Sequence, residues 1–163
     1  MSYGTQTMDE AQAPRPIIPA LAPLYAALSR ISIPMIRVVA GLFLVPHGAQ
    51  KLFGWFGGGG LQGTGGFFAQ NLGLEPGVFW AALVGGTEFF GGILLAIGFL
   101  TRPAAAAIVI LMAVAVFAVH LPNGFFNTNG GYEYALFWGL VALAFLFRGG
   151  GELSVDKAIG REF

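Results

Sequence analysis

The chain contains no cysteine. Disulfides, thiolate nucleophiles, iron–sulfur ligation and zinc–thiolate sites are therefore excluded within it. Charge is nearly as scarce. Only 10% of the 163 residues are Asp, Glu, Lys or Arg, against about 25% in soluble domains. The formal net charge is zero, and no basic stripe offers itself to nucleic acid. No apolar run follows a charged segment at the N-terminus, so no cleavable signal peptide is expected.

Apolar residues make up 56% of the chain, and the mean hydropathy is +0.74. They fall in blocks near Ile33–Phe53, Gly77–Leu100, Pro103–Leu121 and Tyr132–Phe147. About 20 residues of helix cross a hydrocarbon core of about 30 Å. The expected fold is all-α: an integral-membrane four-helix bundle. The last block is short and must begin in the interface or thin the bilayer. Arg15, Arg30, Arg37, Arg102, Arg148, Lys157 and Arg161 fall on one side of such a topology, and Lys51 on the other. Positive residues favour the cytoplasmic side, which places both termini there. The expected division is a disordered or interfacial extension over 1–30, the bundle over 31–148, and a tail over 149–163 with a short surface helix capped by Ser154. In a bacterium this is a multi-pass inner-membrane protein surrounded by lipid.

Residues 1–16 are polar and Pro-containing and read as disordered. Ile17–Arg30, interrupted by Pro19 and Pro23, reads as an interfacial segment. The stretch Gly54–Gly77 reads as a glycine-rich loop packed over the bundle mouth. No GK[ST] follows its glycines, so it is not a phosphate loop.

Ionisable groups inside apolar segments are costly and are kept where they are paired, hydrated or used. Glu88 lies about 16 Å into the second block at helical rise. Gly85 and Gly92 share its face, where small residues let a neighbouring helix approach. Its functional reading is a proton donor and acceptor, or a ligand for a polar head group; its structural reading is a neutral carboxyl bonded to a neighbouring helix. His47 and Lys51 stand four apart on one face of the first block. His47, beside Pro46, is a candidate proton shuttle or hydrogen-bond donor. Lys51 can snorkel to the interface or complement a helix C-terminus. His120 ends the third block, and Glu133 opens the fourth, where an acid also suits the helix dipole. Glu88 and His47 are the candidate catalytic pair; Lys51, His120 and Glu133 are candidate substrate contacts. A metal held by the two His and two carboxylates is a weaker reading, as is a haem between His47 and His120.

The stretches His47-Gly48-Ala49-Gln50-Lys51-Leu52-Phe53-Gly54, Leu100-Thr101-Arg102-Pro103, Gly130-Gly131-Tyr132-Glu133-Tyr134 and Gly151-Glu152-Leu153-Ser154-Val155-Asp156, with the glycine-flanked Glu88, are similar in order and spacing to the DoxX family. The resemblance runs from about Ile36 to Asp156. It implies a four-helix membrane bundle and a link to quinone-dependent redox complexes, with His47, Lys51, Glu88, Arg102 and Glu133 at recurring polar positions. Arg102 is expected to be structural. The leading expectation is a redox component that binds quinone or a similar apolar carrier and works with a redox partner subunit or a second copy of itself. A carrier of protons or small solutes, and a non-enzymatic anchor for a partner complex, are the alternatives.

Overall fold

A computed structural model describes residues 16–163. The expected disorder of residues 1–16, and Arg15 with it, falls outside the described residues except at Pro16. The described chain is helical, with no strand. After a 3-10 turn at Pro19–Leu21 comes α1, Ala22–Phe53. Next are α2, Gly60–Leu72, and α3, Gly77–Ile97. Then follow α4, Thr101–Asn123, α5, Glu133–Arg148, and a short α6, Val155–Ala158.

Three helical stretches are long and apolar enough to cross a membrane: Pro19–Phe53, Gly77–Ile97 and Thr101–Asn123. Their outward faces carry large apolar side chains, with Phe117 71% and Phe79 58% exposed. A soluble protein does not leave so much continuous apolar surface to water. α1 runs unbroken through Arg30, Pro34 and Pro46. Its residues 22–31 are all exposed, so its first turns project past the other helices.

The stretch expected as a loop over the mouth is largely a helix. α2 packs along α3, and Gly65 and Gly77 make the approach so close that a Cβ on Gly65 would lie 2.8 Å from the Val78 nitrogen. The glycines therefore serve a backbone-to-backbone contact, which their turn-forming reputation conceals in the sequence.

Helices α1 and α3 cross on a second set of glycines. A Cβ on Gly48 would meet the Gly85 carbonyl oxygen at 2.7 Å, and one on Gly92 would meet the Gly41 carbonyl oxygen at 2.7 Å. Gly41 and Gly48, like Gly85 and Gly92, stand seven residues apart, so both pairs fall on one stripe of their helix. α4 pairs most extensively with α5, α3 adjoins α4, and α1 barely touches α5. Ala40, Leu44, Leu95, Ala105, Ile108, Met112, Ala142 and Phe145 fill the core between these helices.

At the end of the bundle bearing most of the arginines, the C-terminal tail folds back. Arg37, 1% exposed, donates to the carbonyls of Ala96 (3.4 Å), Leu153 (2.8 Å) and Gly150. Asp156, 2% exposed, accepts from the backbone nitrogens of Leu100 (2.8 Å) and Thr101 (2.9 Å) and from the Thr101 hydroxyl (2.7 Å). It thus satisfies the open N–H groups that begin α4. Burial alone raises the Asp156 carboxyl. The Thr101 and Leu100 hydrogen bonds, with the Arg37 charge, outweigh it and hold the group below the ordinary carboxylate range. The Ser154 cap is present: its Oγ accepts from the Lys157 nitrogen at 3.1 Å. The helix it caps is not merely a surface feature, because Asp156 is its buried anchor. Thr101 is the first residue of α4, so Pro103 falls third rather than first.

Candidate functional site

The Gly48–Gly85 contact sets the register that matters. Gly85 lies one turn before Glu88, and its missing side chain leaves room for the Lys51 stem: a Cβ there would lie 3.1 Å from the Lys51 Cβ. Lys51 Nζ donates to both carboxylate oxygens of Glu88, at 2.6 and 2.9 Å. The Glu88 side chain is 9% exposed and that of Lys51 26%. A mid-helix acid is therefore matched by an amine whose stem reaches inward from the end of α1. Glu88 sits in a π-helical stretch, Thr87–Gly91, where the chain widens by one residue per turn. Such bulges are frequent at functional sites.

Because α1 and α5 hardly meet, the helices part above the core. They leave a cavity of about 1180 Å³, above the roughly 300–1,000 Å³ of most small-molecule sites. The cavity exists because α2 walls the opening with Gly63, Thr64, Phe67 and Phe68. His47, Gln50, Lys51, Glu88, His120 and Tyr134 contribute its polar groups, and Leu44, Leu83, Ile110 and Met112 are among its apolar lining. His47 is half-buried, its ring 6.1 Å from that of Tyr134. Trp80 and Trp138 also line the cavity, and the indole N–H of each is buried without a hydrogen-bond partner among the described residues.

The remaining candidates lie elsewhere or have other partners. His120 reaches the cavity wall, but its Nδ1 donates to the Gly130 carbonyl at 2.7 Å. It closes a second π-helical stretch, Ala115–His120. Glu133 is not part of the cavity wall; its Oε1 accepts from the Asn127 nitrogen at 2.8 Å and orders the loop before α5. Arg102 lies at the opposite end. It donates to the carbonyls of Leu146 (3.3 Å) and Phe147 (3.2 Å) and to Glu162 (3.1 Å). Among the described residues no three of His, Asp or Glu gather as a metal site. Sequence reading missed Gln50, Thr64, Trp80, Tyr134 and Trp138 as cavity residues, because only the approach of four separate helices brings them together.

The profile of the DoxX family matches residues 32–121, a stretch that holds His47, Lys51, Glu88 and His120. The chain belongs to the DoxX family. An uncharacterized protein of Haemophilus influenzae is 32% identical over 125 residues, 75% of this chain and 86% of the relative. A second from the same organism is 32% identical over 96 residues, 59% of this chain and 62% of that one. An uncharacterized membrane protein of Mycobacterium tuberculosis is 31% identical over 146 residues, 80% of this chain and 82% of its own length. No solved structure matches. With this kinship and its apolar helices, this DoxX chain is a multi-pass membrane protein.

Proposed function

We propose that this DoxX protein binds a neutral, ring-bearing redox carrier of the quinone type in the cavity, as the membrane part of an oxidoreductase. The observation that carries the reading is the Lys51–Glu88 pair set in the wall of a large, mainly apolar cavity. The two charges cancel, so the pair favours an uncharged guest with hydrogen-bonding oxygens over a free anion. The apolar lining accepts a ring and the start of a tail.

In this reading His47 donates a hydrogen bond to one carbonyl oxygen, and the Lys51 ammonium steadies the negative charge that grows there. Glu88 passes protons. Reduction of a quinone adds two electrons and two protons. The electrons come from a partner redox subunit or from a reduced substrate.

The proposed setting is four crossings of a bacterial inner membrane. α5, at 16 residues, rises about 24 Å and needs a locally thinned bilayer or an interfacial start. The end carrying Arg30, Arg37, Arg102, Arg148 and Lys157 faces the cytoplasm, with both termini.

The test is titration of the purified full chain in nanodiscs with a short-tailed quinone, following tryptophan fluorescence. Two of the three tryptophans line the cavity, so saturable quenching is expected. Lys51→Ala or Glu88→Gln should weaken binding about tenfold, as loss of a charged hydrogen bond does. Absence of saturable quenching, or unchanged affinity in both variants, would overturn the reading.

A further inference from the structure

A second, smaller cavity lies at the arginine-rich end of the bundle. Its volume is about 220 Å³, and Ser29, Arg30, Ile33, Pro34, Arg148, Gly151 and Glu152 line it. That is roughly seven times the ~30 Å³ share of one liquid water, space for a small polar headgroup and not for acyl chains. It forms at the elbow where the projecting start of α1 meets the end of α5 and the first tail residues.

Arg30 and Arg148 are both exposed and make no salt bridge among the described residues. The acid in the wall, Glu152, has a cation of its own, Lys157 Nζ at 3.8 Å. Two arginines without a counter-ion among the described residues thus line one small space. Arg30 precedes Lys51 by 21 residues, about 31 Å along α1. That matches the ~30 Å of a hydrocarbon core, so with Lys51 near one interface this cavity lies at headgroup level of the other. Leu24, Tyr25, Leu28 and Ile31 beside it are about half exposed and offer apolar surface to acyl chains.

We propose that this cavity seats the phosphate of an anionic phospholipid between Arg30 and Arg148. Guanidinium forks match phosphate oxygens bidentately; a zwitterionic lipid offers the same phosphate but brings an ammonium beside two guanidiniums, a like-charge repulsion that an anionic lipid lacks. The inference rests on the membrane setting of the chain and is independent of any guest in the larger cavity.

The experiment is native mass spectrometry of the full chain, released from nanodiscs of equal parts phosphatidylglycerol and phosphatidylcholine. Wild type should retain phosphatidylglycerol preferentially. Arg30→Gln and Arg148→Gln should each lower that preference about fivefold, the usual worth of one basic residue near an anionic surface. Arg161→Gln, outside the cavity, should leave it unchanged. Both target side chains are exposed and without structural partners, and circular dichroism checks that the variants fold. Equal retention of the two lipids by wild type would overturn the proposal. So would a preference that survives both substitutions, or one that Arg161→Gln reduces as much. Displacement of the lipid by millimolar inorganic phosphate would assign the site to free phosphate and overturn the lipid reading.

Discussion

Lys51 and Glu88 form an ion pair whose two members are not equivalent. Lys51 has a flexible stem and a quarter of its side chain exposed, so it can swing toward the interface if Glu88 is removed. Glu88 has no such escape. Lys51→Ala is therefore expected to cost about 3 kcal/mol, the lower range for stranding one member of a buried pair. Glu88→Ala should cost less, and Lys51→Met with Glu88→Gln should recover part of the loss. Denaturant unfolding in micelles measures all three. Asp156 yields a pH prediction with a definite sign. Its carboxyl is held below the ordinary aspartate value of 3.8, so its contribution is full above about pH 4 and disappears as pH falls through the lower, folded value. Asp156→Asn removes that acid-limb dependence and costs about 1 kcal/mol at neutral pH, as lost helix caps do. Unfolding midpoints of both forms from pH 3 to 7 check this.

At the scale of helices, the glycine crossing of α1 on α3 decides whether the amine and the carboxyl meet. Gly48→Ala would press a methyl into the Gly85 carbonyl and the Phe89 backbone. Expected are a destabilisation of about 3 kcal/mol, the upper range for overpacking, and a loss of quinone-dependent quenching, because the pair is pulled apart. Retained binding in a folded Gly48→Ala protein would mean that the crossing does not set the site. Much at this scale was legible in the sequence. An acid about 16 Å into an apolar block is conspicuous because burial is costly, and its glycine neighbours pointed to a close helix. The pairing itself was not legible. Lys51 read equally as a substrate contact or a dipole partner, since periodicity fixes a face within one helix and says nothing of the register between two. α2 was hidden because its glycines score as turn formers, while their use is to let α2 touch α3. Arg37 and Asp156 were read as a topology signal and part of a surface helix, because their partners are backbone carbonyls and amides and the distant Thr101 hydroxyl, none of which marks the pairing in the sequence.

For the molecule as a whole, the cavity and the tail latch occupy opposite ends and should fail separately. Thr64→Trp on α2 would fill the mouth of the cavity. It should abolish quinone quenching while leaving the unfolding midpoint within about 0.5 kcal/mol of wild type, as substitutions outside packed regions do. The latch places a demand on the order of events in synthesis. Arg37 enters the translocation machinery with the first helix, yet two of its three acceptors, Gly150 and Leu153, are 113 and 116 residues further along. That guanidinium can complete its seat only once Gly150 and Leu153 have been made, so the latch closes after α1 to α5 have been synthesised.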